Sequence, residues 1–221
     1  MRMLLTGFEG YGGRAINPAR EVALRLDGAT VAGTVVHGRT LPVNHAEVGS
    51  RVAGLIEELR PCAVVGLGLW PGEPMLRIER IAANIADFRI ADNAGLIAKE
   101  PVVEGGPAAF LSTLPIETIR DRLLEAGIPA RLSGTAGHFL CNALMYHALR
   151  LCAERAPPPC CGFIHLPYLP EQVALLLEQA RDPAAVDLHQ RADLASMALE
   201  TMVEGVRLAI ATALEHASRD G

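Results

Sequence analysis

Hydrophobic and polar positions alternate in blocks along the chain. Residues 3–6 form a short apolar run closed by Gly7, which predicts a buried strand. After a glycine-rich loop, residues 16–26 take helical spacing, with Asn17 as N-cap and Pro18 at the first helical position. Residues 29–43 are rich in Val and Thr and predict a strand. Between 44 and 60, Val48, Val52, Leu55, Ile56 and Leu59 recur on one helical face. Residues 62–69 are continuously apolar, as in a strand covered on both faces.

The segment 75–93 alternates enough to predict a strand, and 94–115, which holds "EGGPAAF", reads as a long surface loop. Residues 116–127 predict a helix ending at Gly127, and 130–135 a strand. A helix over 141–154, a strand over 161–167 and a helix opened by Pro170 follow. Residues 193–216 form a long amphipathic helix with Leu199, Val203, Val206, Ile210 and Leu214 on its stripe. Strands alternating with helices predict an α/β fold, a three-layer α/β/α sandwich with a mostly parallel twisted central sheet. No linker, repeat or low-complexity tract interrupts residues 1–221, so one domain is expected.

Composition narrows the function. Half of the residues are hydrophobic but only 4% are aromatic, so the core is aliphatic. The net charge is −5, with no block of like charge and no Lys/Arg cluster. That argues against nucleic acid or a membrane surface as partner and for a small or peptidic one. The opening apolar run is too short for a signal peptide or a membrane span, so a cytoplasmic protein is expected. The five cysteines are odd in number and lack C-x-x-C spacing, which is not a disulfide framework. The histidines show no metal-ligand spacing, so no metal site is expected.

Two residues invite a chemical reading. Cys141 follows the predicted strand 130–135 and opens a helix, and His165 ends the strand 161–167. Sites in open α/β sheets form outside the carboxyl ends of strands, so thiol and imidazole are expected on one sheet edge. A helix N-terminus favours a thiolate and lowers a cysteine pKa, and its N–H groups can hold an oxyanion. A nearby histidine can take the thiol proton and return it to a leaving amine. The bland alternative is a buried cysteine acting as a small hydrophobe among Phe139, Leu140, Leu144 and Met145. The glycines of "TGFEGYGG" could also suggest a phosphate cradle, but their spacing matches no phosphate-binding motif.

Several separated segments, in order, carry a resemblance: "LLTGFEGYGGRAINPA", "ERIAANIADFRIADN", "EGGPAAF", "GHFLCN" and "GFIHLPYLPEQ". Together they resemble the pyroglutamyl peptidases, a family of cysteine peptidases, over nearly the whole chain. The resemblance implies removal of N-terminal pyroglutamate from peptides, by a homo-oligomer (dimer or tetramer) that needs no cofactor. It implies a triad of Cys141 as nucleophile, His165 as base and then acid, and Glu79 as the group orienting the imidazole. On its residues alone Glu79 reads as a half-exposed strand residue paired with Arg77 or Arg80. The resemblance also places Phe8 and Tyr11 in the walls of a lactam pocket. Arg89 would lie near the reaction centre, supporting the oxyanion or the loop; its alternative is a surface ion pair with Asp87 or Asp92.

One segment departs from the family pattern. A glutamine and a glycine-rich turn are expected after the strand 62–69, but this chain has "GLWPGEP", with Leu69 in place of the polar residue. His138, beside the nucleophile, reads as loop or pocket rim. The changed turn keeps two alternatives open: a related cysteine amidohydrolase acting on another cyclic or N-capped amide, and a non-catalytic descendant that binds capped peptides.

Overall fold

The computed structural model describes residues 1–181 and 194–218; residue 193 of the expected last helix lies outside them. A seven-stranded sheet forms the centre. Its strands are β1 (Arg2–Phe8), β2 (Thr30–Val31), β3 (Thr34–Leu41), β4 (Ala63–Leu69), β5 (Leu76–Glu79), β10 (Ala130–Ser133) and β11 (Cys160–Leu166). Their order across the sheet is β10-β5-β11-β4-β1-β3-β2. The middle strands β4 and β11 are the continuously apolar runs, and both are buried almost end to end. Helices on each face leave such strands no solvent side to alternate with.

Helices α1 (Pro18–Leu26), α3 (Ile116–Glu125) and α6 (Leu199–Ala217) pack into one core cluster with Met3, Leu5, Val65, Leu67 and Ile164. Helices α2 (His45–Leu59) and α4 (Leu140–Ala153) build the other with Leu4, Val64 and Phe163. Neighbouring strand residues point to opposite faces, so these two clusters are the two sides of one sheet. The sandwich is therefore the expected one. Asn17 caps α1 by accepting from the Ala19 N–H at 3.1 Å, with Pro18 following as expected. Helix α5 (Pro170–Gln179) lies near the end of β4, where Leu176 packs with Leu69 and Tyr168.

The sheet departs from the expected reading in three places. The segment 29–43 is a hairpin rather than one strand: Ala32 (φ 44°) and Gly33 (φ 72°) make a two-residue turn between β2 and β3. Positive φ at both turn residues matches the twist of the flanking strands. The segment 75–93 is three short strands, β5, β6 (Ile81–Ala83) and β7 (Ala86–Asp87). The expected loop 94–115 contains β8 (Lys99–Glu100) and β9 (Ala109–Leu111), which pair with β7 and β6. It also buries Ala98 and Val102 against the apolar positions of 82–88, which need a cover that this excursion supplies, while Leu114 joins the core on the other face of the sheet.

Candidate active site

Strand direction decides how the site is assembled. β11 runs parallel to β4 but antiparallel to β5, and β10 is parallel to β5. The carboxyl ends of β10 and β11 therefore lie at opposite ends of the sheet, with β5 between them. The expectation that Cys141 and His165 share an edge because both follow strand ends is corrected on that point. The loop 134–139 carries the chain back, and α4 then starts over the middle of the sheet. Cys141 Sγ stands so close to Gly68 that a Cβ built there would lie 2.6 Å from it, and Gly68 is the register partner of His165.

Antiparallel pairing also brings Glu79 to the imidazole. Arg77 lies directly opposite His165 and Glu79 opposite Phe163, so Glu79 and His165 are diagonal neighbours on one face. Glu79 Oε1 lies 2.8 Å from His165 Nδ1. Both side chains are fully buried, at 0% and 1% exposure. The half-exposed Glu79 expected from the local sequence is thus corrected: its partner is Arg77, whose Nε donates to Glu79 Oε1 at 2.7 Å, while Arg80 binds Glu117. Nδ1 being engaged, Nε2 is the ring nitrogen left to exchange a proton with a group in the cavity.

The electrostatics of the thiol also differ from expectation. Cys141 keeps some surface toward the cavity, but protein encloses the sulfur. This desolvation pushes its pKa up to about 12, and the Glu79 charge acts in the same direction. The backbone at the helix start pulls the other way and loses. Burial likewise lowers the His165 pKa, against the opposing pull of Glu79. The resting pair is therefore a neutral thiol and a neutral imidazole. Asn142 fixes the first turn of α4: its amide accepts from Ala83 N–H and donates to the Ala83 and Ile85 carbonyls. Among the described residues no side chain caps the N-terminus of α4.

Thiol and imidazole line one cavity of about 530 Å³, with Tyr11, Leu69, Trp70, Arg89 and Phe139 among its walls. A small cleft of about 30 Å³ beside the thiol adds Phe8, Val43 and Leu140 to Tyr11, Leu69 and Phe139. Phe8 and Tyr11 therefore stand beside Cys141. Burial keeps Tyr11 a neutral phenol, helped by nearby Tyr168 and Cys141. His138 is exposed at the cavity rim, as expected. Arg89 is exposed on the cavity wall and makes no ion pair among the described residues. Asp92, its suggested partner, instead accepts from the backbone of His45, Ala94 and Leu96. Among the described residues no three His, Cys, Asp or Glu side chains are grouped to hold a metal ion, and no helix is long and apolar enough to cross a membrane.

Two contributors escaped the sequence reading. In the sequence Arg77 is only a possible ion-pair partner of a half-exposed Glu79. Gly68 is one small residue of the apolar run 62–69, and only the proximity of Sγ gives it a role. Gly68→Ala is expected to push the thiol off its position and to press on the Phe163 ring, 2.9 Å from the added carbon. Activity should fall more than about tenfold, with about 1–3 kcal/mol of stability lost to overpacking. Steady-state kinetics beside a thermal melt checks this; wild-type kcat in the variant would refute it.

Known proteins repeat this arrangement of chain. The sequence profile of the family described as pyroglutamyl peptidase matches residues 1–216. A pyrrolidone-carboxylate peptidase from Pyrococcus furiosus is 42% identical over 97% of this chain and 99% of its own. One from Chromobacterium violaceum is 41% identical over 96% of this chain and 92% of its own. The crystal structure of pyrrolidone carboxyl peptidase from P. furiosus superimposes with a TM-score of 0.89 at 40% identity, covering 98% of this chain and all of that one. With a match that runs from the first strand into the last helix, this chain belongs to the pyroglutamyl peptidase family.

Proposed function

We propose that the protein is a cysteine exopeptidase that removes pyroglutamate (5-oxoproline) from the N-terminus of peptides. The observation that carries this reading is the buried Glu79–His165 couple facing the same cavity as Cys141 Sγ, beside a small cleft walled by Phe8, Tyr11 and Leu69. A lactam has no charged amine, so its pocket needs apolar walls rather than a counter-ion. In this reading His165 Nε2 takes the proton of the Cys141 thiol as Sγ attacks the pyroglutamyl carbonyl. The uncapped N–H groups at the start of α4 hold the oxyanion. As the tetrahedral intermediate collapses, the imidazolium gives the proton to the leaving amine, and a thioester remains. Water, deprotonated by His165, then releases pyroglutamate and restores the thiol. Glu79 fixes the tautomer and balances the imidazolium. The enzyme works as one domain and as a homo-oligomer in the cytoplasm, with no cofactor.

The test is hydrolysis of a fluorogenic pyroglutamyl amide beside its prolyl analogue, which lacks the lactam carbonyl. Turnover of the first alone is expected; turnover of neither by folded, reduced protein would sink the reading. A second reading keeps the chemistry and changes the acyl group, because Leu69, where the family pattern has a polar residue, lines both cavities. A higher kcat/KM on another cyclic or N-capped amide would favour it.

The pH profile follows from the neutral resting pair. Neutral imidazole is the working form, and burial lowers the His165 pKa. Activity should therefore be complete above the ordinary histidine value of about 6.5 and fall only as the pH drops below it. A thiol at about 12 adds no alkaline limb near neutrality. A kcat/KM profile with its acid limb above pH 7 would contradict this.

A further inference from the structure

Beneath the imidazole, Glu79 ends a largely buried charge ladder whose other members the mechanism above does not use. Arg77, 6% exposed, is its centre. Its Nε donates to Glu79 Oε1 at 2.7 Å and to Ser133 Oγ at 2.9 Å, and Nη2 donates to the Thr135 carbonyl at 2.7 Å. Nη1 lies 3.7 Å from Glu73, itself held by Arg131 Nε at 3.0 Å. The guanidinium stacks on Trp70, 3.6 Å from the ring centroid, and Trp70 in turn meets His165 edge-on at 4.9 Å.

Two features give this ladder a consequence for catalysis. Glu79 makes both of its side-chain hydrogen bonds through Oε1, and Oε2 is buried without a partner among the described residues. Apart from the imidazole itself, Arg77 is therefore the group that holds the Glu79 carboxylate in place. Thr135 belongs to the loop that leads to Cys141, so one guanidinium ties the acid–base pair to the segment carrying the thiol. A planar fork with fixed donors suits that task, and a lysine could not span all these acceptors.

We infer that Arg77, seated on Trp70 and shared between Glu79 and Glu73, is a positioning residue that sets both the geometry and the working pH of the Glu79–His165 couple. The inference rests on the proposed function for its kinetic readout. The charges facing His165 are Glu79 and Arg77 from β5, Glu73 from the preceding turn, and the Cys141 thiol from α4. Across the cavity stand Asp87, Arg89 and His138, with Tyr11 as a neutral phenol. Among the inner groups, Arg77 disfavours the imidazolium, whereas Glu79 and Glu73 favour it. Removing Arg77 and removing the Glu73 charge should therefore move the acid limb in opposite directions. A residue with only a structural role would not do that.

The experiment measures kcat, KM, melting temperature and the pH dependence of kcat/KM for Arg77→Met, Arg77→Lys and Glu73→Gln. Arg77→Met should lower kcat by about tenfold or more with KM within about twofold, since the loss is of alignment rather than binding. Its acid limb should rise by about half a pH unit or more, and that of Glu73→Gln should fall. Arg77→Lys keeps the charge and loses the fork, so its limb should stay near wild type while kcat stays low. If Arg77→Met does not fold, the other two variants carry the test. Acid limbs that coincide with wild type in Arg77→Met and Glu73→Gln would overturn the inference, whatever the melting temperatures. Alkylation of Cys141 by iodoacetamide as a function of pH, read on the Cys141 peptide by mass spectrometry, needs no substrate. Its inflection should shift with the same signs, so wild-type protein inert toward pyroglutamyl amides would sink the proposed function and leave Arg77 still tested.

Discussion

Replacing Cys141 by alanine is expected to lower kcat/KM for a pyroglutamyl amide by at least about 10³-fold while leaving the fold intact. The loss is large because, in the proposed mechanism, the acyl bond forms on Cys141 Sγ. The other cysteines lie elsewhere: Cys62 and Cys160 pack on the opposite core cluster, and Cys152 and Cys161 stand together at the far ends of α4 and β11. The cost to stability is modest, since Cys141 lines the cavity and its sulfur makes no side-chain hydrogen bond among the described residues. Deleting this one enclosed atom should cost about 1 kcal/mol of packing. Cys141→Ser should be nearly as inactive, because a hydroxyl in the same enclosed site is harder still to deprotonate. Kinetics and thermal melts on both variants decide the matter. Retained activity in Cys141→Ala would remove the nucleophile from the proposal and return the residue to the bland reading of a small hydrophobe.

The second large effect is expected at Glu79. Glu79→Gln should reduce kcat by about 10²- to 10⁴-fold. An amide cannot balance the imidazolium, and its NH₂ can donate to Nδ1, which would leave the proton on Nε2 and stop that nitrogen from acting as the base. The same change strikes stability, because it neutralises the closest carboxylate partner of the buried Arg77 guanidinium. Glu73, Ser133 and the Thr135 carbonyl still hold Arg77, so the loss should be about 1–3 kcal/mol rather than the full cost of an abandoned buried charge. A chemical-denaturation series and single-turnover kinetics separate the two effects. Activity within tenfold of wild type would show that the imidazole needs no carboxylate here.

The elements were largely readable along the chain, and the reasons are local. The apolar runs 62–69 and 161–167 can be satisfied only by strands covered on both faces, and β4 and β11 are such strands. Asn17-Pro18 marks a helix start through capping chemistry that needs only three consecutive residues. The segment 75–93 departs from the single expected strand because its period is strand-like throughout, while its breaks are set by pairing with β8, β9 and β11 far along the chain. Cys141 and His165 could be picked out by residue type and position, and the resemblance added Glu79, Phe8, Tyr11 and Arg89.

What the sequence determined by itself was the α/β alternation of the main strands and helices, the apolar runs that became the sheet centre and the choice of Cys141 and His165 as candidate thiol and imidazole, since each depends on periodicity or chemistry within a few residues. Tertiary structure decided the rest. Strand direction is a non-local choice, and turning β5 against β11 placed Arg77 opposite His165 and Glu79 beside it. A carboxylate can be fully buried only where cations and donors from other segments compensate it, so the depth of Glu79 could not be read from "RIER". The thiol pKa followed the same rule: the helix start was visible in the sequence, but the desolvation that outweighs it comes from walls supplied by distant parts of the chain.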